Sequence, residues 1–170
     1  MYKKFFKRVI DIFLSFFGIV FLSLPMLIIA IAIKCDSKGP VFFKQKRVGI
    51  HKKHFNILKF RTMRTDAPKD QPTHLLQNPE AFITPVGRFL RKFSLDELPQ
   101  LFNILNGSMS IIGPRPMLDY QAPRCIGEEN LRFEMRPGLT GLAQVKGRNN
   151  IIWEERIQYD IEYIKTFTFW

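Results

Sequence analysis

Between Ile12 and Ile33 the chain runs for 22 residues without a charged side chain, dense in Phe, Leu and Ile. A helix of that length spans about 33 Å, enough to cross the roughly 30 Å hydrocarbon core of a bilayer. The rest of the 170-residue chain is too small a domain to enclose so long an apolar helix. The feature therefore divides the sequence into residues 1–36, which face a membrane, and residues 37–170, which carry the polar chemistry.

The flanks constrain how the segment meets the membrane. Lys3, Lys4, Lys7 and Arg8 precede it; Lys34, Lys38, Lys44, Lys46, Arg47, Lys52 and Lys53 follow it. The positive-inside rule keeps both ends in the cytoplasm, which a straight span does not allow. Pro25 lies near the middle, where it removes one backbone hydrogen bond and clashes with the preceding turn, so a kink is expected. The hydroxyl of Ser23 can satisfy a carbonyl freed in lipid. These observations predict a re-entrant helix that enters and leaves by one leaflet. A straight spanning anchor is the competing reading on hydropathy alone. A signal peptide fits less well: Ala30-Ile31-Ala32 resembles a cleavage site, but the apolar run is too long.

The net charge of +11 suggests nucleic acid until it is located. Residues 1–61 hold 13 Lys and Arg against Asp11 and Asp36, whereas residues 62–170 hold 13 basic and 13 acidic side chains. All the excess charge surrounds the apolar segment, as expected for a partner that is an anionic lipid surface and not a nucleic acid. Two cysteines, Cys35 and Cys125, are too few for a disulfide framework or a cysteine-based zinc site and suit a reducing compartment.

Residues 41–48 and 54–62 mix aromatic, β-branched and basic side chains around Gly49 and predict two strands. Residues 64–82, with Pro68, Pro72 and Pro79, predict a loop. Over 86–93, Val86, Phe89, Leu90 and Phe93 share one helical face opposite Arg88, Arg91 and Lys92, a pattern suited to a membrane interface or to a plain surface helix. Residues 94–106 predict a helix that opens with Ser94-x-x-Glu97, a capping-box pattern, and stops at Gly107. A short apolar stretch, Met109 to Ile112, precedes Gly113-Pro114-Arg115-Pro116, and Pro137 to Gly141 predicts a glycine-rich turn. Trp153, Ile157, Ile161 and Ile164 recur at helical spacing among Glu154, Glu155, Asp160 and Glu162. The expected fold is mixed α/β and mostly helical: one compact domain with an N-terminal re-entrant membrane helix and interfacial amphipathic helices.

Few residues are placed to do chemistry. His51, His54 and His74 have neither cysteine partners nor metal-ligand spacing, and no GxSxG, Walker or GxGxxG pattern occurs. That leaves Asp96-Glu97 and the arginines. Acidic residues in a first helical turn answer the helix dipole, and Glu97 fits the third position of a capping box with Ser94. The same dipole favours an ionised carboxylate, which suits a nucleophile or a Mg²⁺ ligand; neighbours about 100° apart on a helix do not face each other as an acid–base pair. Both readings stand at this point. Arg115, between two prolines, presents its guanidinium on a restricted backbone suited to gripping a phosphate, or to a solvated turn. Lys59, Arg61, Arg88 and Arg148 could add positive charge, though each taken alone reads as a surface residue before a ligand.

Five stretches carry a family resemblance. They are Lys7-Arg8-Val9-Ile10-Asp11, Lys59-Phe60-Arg61-Thr62-Met63, Ser94 to Gln100, Gly113 to Pro116 and Arg136 to Val145, with the broken apolar helix before them. Together they resemble the bacterial sugar transferases, the monotopic phosphoglycosyl transferases of the small PglC type, along essentially the whole chain. The resemblance implies transfer of a phospho-sugar from a UDP-sugar to polyprenyl (undecaprenyl) phosphate with release of UMP, the first membrane step of glycoconjugate assembly. It implies Asp96 as the nucleophile, forming a covalent phospho-sugar intermediate, and Glu97 as its partner, which with Asp96 holds Mg²⁺ or receives the polyprenyl phosphate. It also implies Arg115 as a phosphate-gripping arginine, with Lys59, Arg88, Gln144 and Arg148 as further substrate-binding residues. Ser23 and Pro25 mark the kink of a re-entrant anchor at the cytoplasmic face of the bacterial inner membrane, and self-association is compatible with all of this. Two departures stand out. Leu24 separates Ser23 from Pro25, and the chain stops at Trp170, short of the Asp-containing segment with which such proteins generally continue. The alternative from another class is a membrane-tethered basic module that binds anionic lipid or nucleic acid without catalysis.

Overall fold

The computed structural model describes residues 2–67, 78–147 and 151–167. The apolar segment forms α1 (Tyr2–Asp36), one helix that continues through Pro25. It is long and apolar enough to cross a membrane, and 11% of its most apolar stretch is buried, so it is not a core helix. Ser23 donates to the carbonyl of Val20 at 2.7 Å, within the turn that approaches Pro25. Pro25 withdraws the helical donor of the Phe21 carbonyl and not of Val20, so the hydroxyl is not used as the sequence suggests.

The remaining elements follow in the order β1 (Phe42–Val48), β2 (His54–Phe60), α2 (Pro85–Lys92), α3 (Gln100–Leu105), β3 (Ser110–Ile112), β4 (Gly138–Thr140), α4 (Leu142–Gly147) and α5 (Trp153–Thr166). The class is mixed α/β, as expected. β1 and β2 form one two-stranded sheet, β3 and β4 another. The glycine-rich turn expected at 137–141 is instead largely strand. β4 runs parallel to β3, with Ser110 opposite Gly138 and Ile112 opposite Thr140. The glycine is there for close approach: a Cβ at Gly138 would lie 2.2 Å from the Gly113 nitrogen.

Two compact units account for the chain. One comprises Met1–Ile19, Gln45–Ile57 and Gln100–Trp170; the other comprises Val20–Lys44 and Leu58–Pro99. In the first, Val48, Met117, Ala122, Cys125, Phe133 and Ile157 form a core against which Trp153 and Ile161 pack. Ile57, Ile104 and Met109 form a second cluster. The start of α1 is tied to this unit by polar contacts. Arg8 donates to the Ile104 and Leu105 carbonyls at 2.6 and 2.8 Å, closing the C-terminal end of α3. Asp11, buried, accepts from Ser110 Oγ at 2.7 Å and from the Ile111 nitrogen at 2.9 Å. Both cysteines are free.

In the second unit, Thr84 caps α2 by accepting from the Gly87 nitrogen at 3.0 Å, and Pro85 occupies the first helical turn. The buried side of α2 is narrower than the sequence pattern suggests. Gly87 and Leu90 are buried, whereas Phe89 and Phe93 are 57% and 55% exposed and pack on each other with centroids 4.9 Å apart. Small size explains the burial of Gly87: a Cβ there would meet the Thr62 carbonyl oxygen at 2.1 Å. Of the expected 64–82 loop, Pro79–Phe82 forms a short 3-10 turn; residues 68–77, with Pro68, Pro72 and His74, lie outside the described residues.

Candidate active site

The helix expected over 94–106 is two pieces. Leu95–Glu97 forms one 3-10 turn, and α3 starts only at Gln100, after Pro99. Ser94 takes a left-handed conformation, with φ of 57°, and makes no side-chain cap. The capping box is therefore not formed, and the local role offered to Glu97 by its spacing falls away. Its carboxylate instead accepts from Lys59 Nζ, at the end of β2, at 2.6 Å. The same ammonium lies 3.9 Å from Asp96 Oδ2. Lys59 thus sits against two adjacent carboxylates, a pairing across 38 residues of sequence.

Asp96 is 14% exposed and its two neighbours about 20%. Burial pushes the Asp96 carboxyl up; Lys59 offsets part of this, Glu97 adds to it by like charge, and Arg91 offsets a little more. Sequence reasoning expected a helix N-terminus to favour the ionised form, but a single 3-10 turn supplies little dipole and desolvation outweighs it. Arg91 is the site residue that the sequence missed. Its place on the polar face of α2 was legible, but its Nε donates to Thr62 Oγ1 at 2.9 Å, a contact with no signature in local spacing. Burial holds the Arg91 guanidinium below its usual range, with Asp96 acting in the opposite sense.

The other sequence candidates divide sharply. Arg61 is buried and spent on the fold: it donates to the carbonyls of Lys38 and Ser37 at 2.6 and 2.8 Å, closing the C-terminal end of α1. Arg88 is 69% exposed and faces Glu80 at 3.6 Å. Arg115 and Gln144 belong to the other unit. Arg115 stands in the turn after β3. Gln144, on α4, has both amide atoms buried without a hydrogen-bond partner among the described residues. Arg148 lies outside the described residues. The remaining described histidines do not converge: His54 pairs with Asp119 at 2.6 Å, and His51 occupies the turn between β1 and β2.

Asp96 and Glu97 together are an all-oxygen donor pair, of the kind Mg²⁺ takes alongside substrate phosphates. No cluster of three or more acidic, histidine or cysteine side chains occurs among the described residues, so a protein-only cage is not what they form. The donor chemistry fits an ion that shares its coordination with a phosphate.

The profile of the bacterial sugar transferase family matches residues 2–170. The chain is 41% identical over 163 residues to the uncharacterized sugar transferase EpsL of Bacillus subtilis, covering 96% of this chain and 79% of that protein. It is 41% identical to a UDP-glucose:undecaprenyl-phosphate glucose-1-phosphate transferase of Klebsiella pneumoniae, over 97% of this chain and 37% of that one. It is 37% identical to an undecaprenyl-phosphate galactose phosphotransferase of Salmonella typhimurium, over 99% and 38%. The chain thus spans little more than a third of the latter two proteins.

Proposed function

From the premise that this chain belongs to the bacterial sugar transferase family, we propose that it transfers a phospho-sugar from a UDP-sugar to undecaprenyl phosphate. Asp96 is the nucleophile. In the first half, an Asp96 carboxylate oxygen bonds to the β-phosphorus of the donor, the bond from that phosphorus to the bridging oxygen breaks, and UMP leaves with the electron pair. In the second half, a phosphate oxygen of the lipid bonds to the same phosphorus and the aspartyl oxygen is released. Dividing the exchange lets a soluble donor and a lipid acceptor use one carboxylate in turn.

The observation that carries this reading is the state of Asp96. It is shielded enough for its basicity to rise, yet accessible, and it has an ammonium beside it. Lys59 counters the tendency of burial to protonate Asp96, keeping the lone pair available, and it restrains Glu97 next to it. A bound Mg²⁺, held by Asp96 and Glu97, would supply charge neutralisation for the diphosphate. By the family resemblance, Arg115 offers its guanidinium to a phosphate of the nucleotide sugar.

The anchor belongs to the same proposal. α1 is re-entrant, with both basic flanks at the cytoplasmic face of the bacterial inner membrane, and the exposed Phe89 and Phe93 of α2 dip into the interface. With Cys35 and Cys125 replaced by Ser, single cysteines at Lys3 and Lys38 are both expected to be shielded from an external impermeant thiol reagent in intact cells. Labelling of one end alone restores the straight span. For the reaction, the protein is supplied with Mg²⁺, undecaprenyl phosphate and a panel of UDP-sugars, and UMP is measured. Release with one donor, lost in Asp96→Asn, is the expected result. Silence with every donor overturns the assignment in favour of a binding module.

A further inference from the structure

The Gly113–Pro116 turn is poor in ways to be anchored. Pro114 and Pro116 have no N–H, so their peptide units can be fixed only through carbonyls. Four consecutive carbonyls are in fact held, by donors from three separate parts of the chain. Pro114 accepts from the Gly138 nitrogen at 2.8 Å, Arg115 from Arg132 Nη2 at 3.1 Å, Pro116 from Arg47 Nη1 at 3.1 Å, and Met117 from the Val48 nitrogen at 3.0 Å.

Arg132 stands apart among these donors. Its Nη2 also donates to Asp160 Oδ2, on α5, at 2.7 Å. The two side chains are 3% and 1% exposed. Desolvation offsets much of what a buried ion pair contributes, so stability alone is a weak reason for one. The geometry offers a better reason. One nitrogen serves both the carboxylate and the Arg115 carbonyl, so the carboxylate aims the guanidinium and the guanidinium fixes the turn. Arg156, one helical turn before Asp160, is a second cation acting on that carboxylate, its own charge disfavoured first by burial and then by the charge of Arg115. On the other helix packed against α5, Lys146 is exposed.

We propose that the buried Asp160–Arg132 pair is a positioning device that holds the backbone of Arg115 in place for the diphosphate of a nucleotide sugar. The role rests on the phosphate-gripping part given to Arg115 above. Burial lifts the Asp160 carboxyl to about 6 against the pull of Arg132 and Arg156. Its charge is therefore present above that pH and lost below it, and the hold on Arg132 weakens as the pH falls through it.

The test is a double-mutant cycle on the full chain in nanodiscs, with UDP-glucose as the probe and melting followed in parallel. Arg115→Ala is expected to weaken binding about tenfold and Asp160→Asn about fivefold, while the double variant is no weaker than Arg115→Ala within about twofold. Fully additive losses, or a folded Asp160→Asn that binds like the parent while Arg115→Ala is weakened, overturn the positioning role and leave the phosphate-gripping reading intact. Parent-like binding by Arg115→Ala instead removes that reading, and the inference with it. Should Asp160→Asn lose its melting transition, pH decides. The diphosphate diester of UDP-glucose has no group titrating near 6, so parent affinity is expected to fall between about pH 7.5 and 5.5 while Arg115→Ala stays flat. An equal fall in both, or a flat parent profile, overturns the role.

Discussion

Asp96 and Asp160 invite comparison because each is a carboxyl raised by burial with a cation beside it. Asp96 is 14% exposed, shares one lysine with a second carboxylate, and lies in a 3-10 turn. Asp160 is sealed at 1%, in the middle of a 14-residue helix, with the guanidinium of Arg132 locked on it. Perturbation alone does not separate a reacting group from a structural one. Access separates these two: the first carboxylate keeps some exposure and the second is sealed.

The sharpest way to break this comparison is to remove each charge and ask what is lost. Asp96→Asn is expected to lower UMP release at least about 10³-fold while the melting temperature holds or rises, since a partly buried charge has been removed. Comparable turnover, with deamidation excluded by mass spectrometry, makes Asp96 no more a nucleophile than Asp160. At the sealed pair the expectation inverts. Arg132→Met leaves the Asp160 carboxylate buried without its main cation and is expected to cost about 3–5 kcal/mol in denaturant unfolding. A cost below about 1 kcal/mol would place this pair with the accessible one.

Lys59→Ala sharpens the comparison at intermediate scale. Lys59 is the chief influence lowering the Asp96 carboxyl, so its loss moves that carboxyl further up. The acid limb of the pH–rate profile then shifts to higher pH, because ionisation of Asp96 is delayed. Turnover near pH 7 is expected to drop about tenfold, and an unmoved limb would separate Lys59 from Asp96 chemistry. The smallest effect belongs to the surface. Arg88 and Glu80 are 69% and 68% exposed, and Arg88→Ala is expected to change unfolding free energy by less than about 0.5 kcal/mol. A larger change would show that exposure is a poor guide in this protein, undercutting the contrast between the two aspartates.

How much of this was legible depends on the range of the interaction involved. α1 was readable because an uncharged run is a local property, and so was the apolar stripe of α5. The Ser94–Glu97 spacing misled because Pro99 cuts the helix that the box would have capped, freeing Glu97 to meet Lys59. Asp160 reads as one more acidic residue on the polar side of an amphipathic helix. Its burial follows from Arg132, 28 residues away. Arg61 reads in sequence as one more positive charge, and only the fold shows it buried on the Ser37 and Lys38 carbonyls just after α1.

Sequence alone determined the apolar helix with its basic flanks, the location of all the excess charge, and the motifs that place the chain in its family, because each is a property of neighbouring residues. Tertiary structure alone decided which charges pair, which carboxylate keeps access to solvent, and which arginines are consumed in holding carbonyls. Those outcomes depend on desolvation and on contacts between distant stretches of chain, and neither quantity exists until the chain has folded.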